Sequence, residues 1–540
     1  MIDSFSSYDD IVSGFSWPVH ENFNIADVCC DRWANEDASR IAIIEVDGEG
    51  VSKEVTYKEL QEKSNRLANS LVAKGVVPGD RVGIYLPQCS EVAVSHFACY
   101  KLGAIAVPLF SLFGPDALHH RMSDCSMRVI VTDARGLGSL SDIVDDIGSL
   151  DLIYTLDACS SDLDFIDFHK DLSLFPGVFS TKKTLEDDPA MIIYTSGTTG
   201  SSKGAVHSHN VLVGHIPGVQ VSHDLFPQPG DLMWTPADWA WIGGLLDVLL
   251  PSLYFGVPVV ARRMLKFNPE EAFSLIESLG VRNMFLPPTA LKIMRQVKEP
   301  EGRWSLSVRS IASGGESLGD ELLDWGRKTF GVTVNEFYGQ TECNIVVSSC
   351  AQMGVHKPGY IGKSVPGHEV AVINDEGEVL GCGELGSIAI KSPDPVMFLG
   401  YWGKPDATKE KFVGDWLVTG DLGVQDEGGF FKFVGRDDDI ITSAGYRIGP
   451  APIENCLLKH SSVRFAAVVG KPDEIRTEII KAFIVLTEGY EPTAELAEEL
   501  KEHVKNRLAA HEYPREIAFL DELPQTATGK IIRANLKSKQ

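Results

Sequence analysis

The stretch best equipped for chemistry is 194–203, YTSGTTGSSK. It follows the apolar run 190–194 (AMIIY), so a Gly/Ser/Thr loop opens directly off the end of a buried strand. Gly197 and Gly200 let backbone N–H groups approach a polyphosphate closely. Thr195, Ser196, Thr198 and Thr199 add hydroxyl donors, and Lys203 adds a positive charge. A Gly/Ser/Thr run alone is a flexible loop. Here a strand precedes it, a lysine ends it and GAVHSH follows, which together give the context of a phosphate cradle. It is not the Walker A form, which needs Gly immediately before Lys; Ser202 stands there.

The same arrangement recurs downstream. The run 281–286 (VRNMFL) ends in Pro287 and Pro288, and 309–312 runs into Gly314, Gly315, Glu316 and Ser317. The run 332–338 (VTVNEFY) holds Asn335, Glu336, Phe337 and Tyr338 and ends in GQTE, with Gly339, Thr341 and Glu342. Polar residues just past strand ends are where open parallel sheets bind ligands. Three further segments are TGD at 419–421, GRDDDIITSAGYRIGP at 435–450 and PQTATGKIIR at 524–533. Taken singly each is weak: an Asp after Thr-Gly is often a turn former, and a lysine near a C-terminus is usually solvated.

The elements that must position these residues alternate. Thr56 with Glu59 makes a capping box for a helix over 57–74. Strands are expected at 81–86 and 129–132, with a helix at 91–102 between them. Such alternation predicts a mostly parallel sheet covered by helices. After about residue 435 come two apolar runs, 465–470 and 482–486, and a charged amphipathic helix at 494–510. The expected fold is therefore α/β: a large N-terminal domain of α/β subdomains, 1–435, and a small α+β C-terminal domain, 436–540, behind the polar turn RDDD.

Composition excludes some roles. The 540 residues carry 49 basic and 75 acidic side chains, a formal charge of −26, which argues against non-specific nucleic acid binding. Anionic ligands remain compatible, since backbone N–H groups and local cations can hold phosphate. The ten cysteines form no CxxC pair, so free thiols in a reducing compartment are expected rather than a metal or redox motif. The start, MIDSFSSYDD, lacks a signal-peptide pattern, and no run of 18 apolar residues predicts a membrane span. A cytoplasmic location follows as the expectation, with monomer and homodimer both open.

Together the quoted segments resemble the adenylate-forming superfamily, which includes acyl-CoA synthetases, luciferases and peptide-synthetase adenylation domains. The resemblance covers nearly the whole chain and implies an AMP-forming acyl-CoA synthetase of short- or medium-chain type, using ATP, Mg²⁺ and CoA as co-substrate. It implies that Thr195 through Lys203 hold the β- and γ-phosphates. Gly315, Glu316 and Ser317 would flank the adenine, and Asn335, Glu336, Phe337 and Tyr338 would close its pocket. Thr341 would touch the α-phosphate, Glu342 would ligand Mg²⁺, Asp421 and Arg436 would meet the ribose, and Arg447 a phosphate. Lys530 would bridge the carboxylate and the α-phosphate. This suits the chemistry: the nucleophile is already ionised at neutral pH, so positioning and a cation between two anions matter more than a general base.

The resemblance further implies a second half-reaction after rotation of the C-terminal domain about a hinge at Asp438, an acidic residue in a polar turn. Ser443, Ala444, Gly445 and Tyr446 would then face the pantetheine arm of CoA. In acetate-specific relatives a tryptophan walls off the acyl pocket where this chain has Gly339. An acid longer than propionate, of short to medium length and straight or branched in chain, is the expected substrate, with Trp239, Trp241, Ile242, Gly243 and Leu245 also lining the slot. Because the chain ends seven residues after Arg533 with no carrier domain, free CoA is the expected acceptor; loading a separate carrier protein and acetyl- or propionyl-CoA synthesis are the alternatives.

Overall fold

The helix expected after Thr56 forms as Tyr57–Ala73, and both halves of its capping box are made. Glu59 N–H donates to Thr56 Oγ1 at 3.1 Å, and Thr56 N–H donates to Glu59 Oε2 at 2.8 Å. The helix after Arg81–Tyr85 is Ser90–Leu102, and it is buried along its whole length, as is Val211–Ser222. A helix that is buried all round has no solvent face to mark with charges. Both pack into one large core cluster with the strands around them.

This computed structural model describes residues 7–157, 163–195, 202–264, 266–315, 318–443, 446–473, 477–508, 513–525 and 531–538. The strand–helix alternation resolves into two mainly parallel sheets. One has eight strands, centred on Pro189–Thr195, Ile105–Pro108, Arg81–Tyr85 and Val129–Thr132. These four run parallel, and Lys203–Ser208 and Gly400–Tyr401 close one edge antiparallel. The other has nine strands, with Met233–Trp234, Asn283–Phe285, Ser310–Gly314 and Val334–Gln340 parallel at its centre and Cys343–Ser348 antiparallel beyond them. The strands Ile105–Pro108 and Val129–Thr132 are buried at every residue, which is why they read as unbroken apolar runs rather than alternating ones.

A third sheet was not foreseen. Val370–Ile373, Gly386–Lys391, Trp416–Gln425, Phe412–Val413 and Phe431–Arg436 pair antiparallel. Its strands are mostly short and mixed in exposure, so they carry little periodic signal. A single turn, Asp437–Asp439, leads from it to the C-terminal sheet.

The small domain pairs Val463–Asp473 with Thr477–Leu486 in antiparallel register, and Glu516–Phe519 joins the latter in parallel. The paired strands reach well past the expected runs 465–470 and 482–486, because the extension carries charged, partly exposed residues outside the core. The expected helix at 494–510 is observed as Ala494–Lys505, with Leu496, Leu500 and Val504 set against Ile453 and Ile480. Among the described residues no helix is long and apolar enough to cross a membrane, and the described cysteines are all free thiols.

Candidate active site

Gln340 lies opposite Cys343 in the hairpin of Val334–Gln340 with Cys343–Ser348, so Thr341 and Glu342 form its two-residue tip. Three contacts hold that tip. The Glu342 carbonyl accepts from Phe398 N–H at 2.9 Å, Gln340 Nε2 donates to the Thr419 carbonyl at 3.2 Å, and the Tyr401 hydroxyl donates to Glu342 Oε1. Burial, reinforced by the Glu342 carboxylate, pushes the Tyr401 phenol far up, so it remains a proton donor to that carboxylate. Neither Tyr401 nor Gln340 was singled out from sequence: both act through contacts with residues far away in the chain, which no local spacing reports.

The expected phosphate cradle has both ends fixed. Thr195 pairs opposite Lys203, which begins the next strand rather than ending a loop. Tyr194 donates to Asp124 Oδ2 at 2.8 Å, and His120 Nε2 lies 2.9 Å from the Ser202 carbonyl. Lys203–Ser208 also pairs with Gly400–Tyr401, and this brings Lys203 Nζ to 5.0 Å from the centre of the Tyr401 ring. Tyr401 therefore stands between a cation and the Glu342 carboxylate. Ser196, Gly197, Thr198, Thr199 and Gly200 lie outside the described residues.

On the other flank, Gly420 takes φ 79°, a left-handed conformation that suits glycine, and reverses the chain between Thr419 and Asp421. Thr419 Oγ1 donates to the Ile388 carbonyl at 2.7 Å and accepts from Asp421 N–H at 3.1 Å. The Tyr338 hydroxyl donates to Asp421 Oδ2 at 2.6 Å. Arg436 is the cross-strand partner of Asp421, and its guanidinium lies 3.8 Å from where a Cβ on Gly420 would stand. Tyr338, Asp421 and Arg436 are thus brought together at this flank.

The four residues Asn335, Glu336, Phe337 and Tyr338 do not all face one pocket, because successive strand residues point to opposite faces. Glu336 accepts from Leu318 N–H at 3.1 Å, and burial pushes its carboxyl up to about 7. Phe337 packs instead on Phe285, with ring centres 5.5 Å apart. Asn335 is fully buried: its Nδ2 donates to the Ser222 carbonyl at 3.0 Å and its Oδ1 accepts from Ala351 N–H at 2.9 Å. The side chains of Asn335 and Phe337 are scaffold here, a correction to their expected place at the adenine. Gly315 takes φ 100° and is exposed. Glu316, Ser317, Ala444, Gly445 and Lys530 lie outside the described residues, and the side chains of Asp438, Tyr446 and Arg447 are outside them too. Ser443, opposite Tyr446 in register, is buried.

The expected acyl residues separate in the same way. Trp241 packs at a tilt on Phe285 with ring centres 5.5 Å apart, lies against Gly315, and borders a cavity of about 260 Å³ shared with Gln88, Phe110, Leu112, Arg262 and Thr289. Trp239 is not on that cavity; it is packed into the main core, as are Ile242 and Leu245. A Cβ on Gly243 would come within 2.9 Å of the Trp241 and Phe285 rings. At Gly339 a Cβ would come within 2.4 Å of Ile345 N and 2.6 Å of Asn344 Cα. Glycine is therefore required at 339 by the neighbouring strand, and a tryptophan there would displace backbone rather than only fill a slot.

Could the site hold Mg²⁺? Among the described residues no three His, Cys, Asp or Glu side chains cluster as a metal cage. Glu342 offers a hard carboxylate oxygen, which fits a cation that takes one protein carboxylate and completes its shell with phosphate oxygens and water.

Comparison with known proteins follows the same outline. A family model described as AMP-binding enzyme matches residues 30–402, and one described as AMP-binding enzyme C-terminal domain matches 452–530. The chain is 35% identical over 490 residues to the acetyl-coenzyme A synthetase of Bacillus subtilis (strain 168), covering 89% of this chain and 84% of that one. It is 33% identical over 545 residues to the mitochondrial acyl-coenzyme A synthetase ACSM2B of Homo sapiens, covering 97% and 92%. Among solved structures it superposes on the anthranilate CoA ligase AuaEII in complex with anthranoyl-AMP with a TM-score of 0.89 at 28% identity, covering 96% and 98%. ATP-bound MatB from Rhodopseudomonas palustris gives 0.84 at 27% identity, covering 96% and 99%.

Proposed function

The chain belongs to the AMP-binding enzyme family and is an ATP-dependent, AMP-forming acid–CoA ligase, and on that premise we propose that it activates a short- to medium-chain carboxylic acid. One observation carries the assignment of the site: Lys203, Tyr401 and Glu342 stand in a row beside Thr341, with the Tyr338–Asp421 pair on the opposite flank. These set a cation and two carboxylates around the hairpin tip, as a nucleotide with its counter-ion requires.

In this reading Thr195 to Lys203 take the β- and γ-phosphates, Thr341 the α-phosphate, Asp421 and Arg436 the ribose, and Gly315, Glu316, Ser317, Glu336 and Tyr338 the base. Glu342 holds Mg²⁺, which supplies neutralisation of the pyrophosphate charge. Lys530 offsets the repulsion between carboxylate and α-phosphate while a carboxylate oxygen attacks phosphorus and the α–β anhydride bond breaks. The CoA thiolate then attacks the acyl carbon and AMP leaves. The domain boundary falls at 435/436, rotation is centred on Asp438, and Ser443 to Tyr446 with Arg447 alternate between the two steps. The cavity beside Trp241, with Arg262 and Arg263 on its wall, suits a phosphate-bearing pantetheine arm. The cytoplasm, where ATP and CoA coexist, is the compartment that fits.

Supplying ATP, CoA and acids from acetate to octanoate is expected to yield AMP, pyrophosphate and thioester, with the best kcat/KM above propionate. A profile that peaks at acetate would contradict the chain-length reading, and AMP without thioester would point to a carrier protein as acceptor. Lys530→Ala should abolish pyrophosphate release yet spare thioester formation from supplied acyl-adenylate; equal loss in both steps would remove Lys530 from its assigned role.

A further inference from the structure

Just beyond Gly243, the helix widens into a π-helical turn, Leu245–Leu249, a form that often marks functional sites. In its middle sits Asp247, 2% exposed, with Leu245, Leu246, Val248 and Leu249 all fully buried around it. Its hydrogen-bond partner is Asn344, whose Nδ2 donates to Asp247 Oδ1 at 2.6 Å. Asn344 is 4% exposed and comes two residues after Glu342. The next residue, Ile345, is held at φ 48°, a left-handed conformation rare for a β-branched side chain. So two irregular backbones, one helical and one extended, meet through a single buried carboxylate–amide pair.

This pair lies close to the end of a strand that emerges toward the surface. Gly339, Gln340 and Thr341 keep intermediate exposure on a strand that is buried from Val334 to Tyr338. Asn344 Cα abuts the position a Gly339 Cβ would take. Among the described residues, Asp247 Oδ2 and Asn344 Oδ1 make no hydrogen bond. Both oxygens are thus left without a protein partner in an otherwise apolar interior. A slot for a plain alkyl chain has no use for two such acceptors, since a buried polar atom without a partner is destabilising.

We propose that Asp247 and Asn344 form the polar floor of the acyl slot and select acids whose far end carries a hydrogen-bond donor, a hydroxyl or an ammonium group. The proposal rests on the reading that Gly339 and Gly243 line that slot, and it narrows the substrate class within it. Burial pushes the Asp247 carboxyl well up, and an ammonium brought beside it would favour the ionised form.

The test compares straight-chain acids from butanoate to octanoate with their ω-hydroxy and ω-amino counterparts, read as AMP formed with ATP and CoA. The wild type is expected to favour a donor-ended acid over its apolar match by about tenfold or more in kcat/KM. Asp247→Leu should reverse that preference without changing the KM for ATP, and Asp247→Asn should keep the hydroxy preference while losing the amino one. If the wild type prefers the apolar acid at every length, the proposal is overturned with the ligase reading intact. The same holds if Asp247→Leu slows all acids equally, which is what a merely structural role would give. Should that variant fail to fold, Asn344→Ala and the wild-type panel decide. AMP formation from none of the acids would overturn the ligase reading itself.

Discussion

Tyr401 illustrates how much a single side chain can carry at this site. Its ring faces the Lys203 cation and its hydroxyl donates to the largely buried Glu342 carboxylate. Removing the hydroxyl leaves that carboxylate short of a donor, a loss of about 1–3 kcal/mol for a buried charged acceptor. Tyr401→Phe is therefore expected to lower the rate of the adenylation half-reaction by about tenfold or more and to shift its Mg²⁺ dependence, with thioester formation from supplied adenylate little changed. An unaltered Mg²⁺ titration would show that Tyr401 does not act through Glu342. By contrast, Asn335→Ala should show its effect in stability, because both ends of that side chain bond to backbone.

At the scale of elements, the hairpin tip is the working part. Gly339 sits where the pairing shifts register between Tyr338 and Gln340, and a side chain there would press on the backbone of the adjacent strand. Overpacking of this kind costs about 1–3 kcal/mol. Gly339→Ala should lower the melting temperature by several degrees and reduce activity on every acid alike. A change in acid preference at unchanged stability would show that 339 acts on the reaction only as a wall of the slot. The second element is the turn Asp437–Asp439, which joins the third sheet to the C-terminal one. A proline at 438 fixes φ near −65°, so Asp438→Pro is expected to favour one domain orientation and impair one half-reaction selectively. Survival of both half-reactions would move the hinge elsewhere.

Seen whole, the molecule buries histidines without charging them. His96, His207, His209, His215 and His223 are essentially unexposed, and desolvation lowers their pKa to about 3 or about 4. The unfolded chain binds protons at these residues from its ordinary value near 6.5 downward, while the folded one does not. Stability is thus complete above about pH 6.5 and falls as the pH drops toward 4, by on the order of 1 kcal/mol per histidine per pH unit at most. Glu336 and Asp247 act in the opposite sense, since their raised carboxyls take up protons in the folded state first, and they offset part of the loss. The urea midpoint should therefore fall steeply between pH 7 and pH 5; a flat or rising midpoint would mean these histidines are reached by water or by partners.

Local chemistry determined a good deal by itself. The capping box at Thr56 and the buried runs at 81–86 and 129–132 express preferences of a few neighbouring residues, and they formed as written. The family, too, was legible, since its motifs are short contiguous strings. What only the tertiary structure decided is which side chains meet. Strand alternation divided Asn335 and Phe337 from Glu336 and Tyr338, register placed Tyr401 beside Lys203, and a turn of π-helix set Asp247 on Asn344. Such pairs join residues tens to hundreds of positions apart, and a carboxylate or a phenol in a string of letters carries no mark of the partner that folding will bring to it.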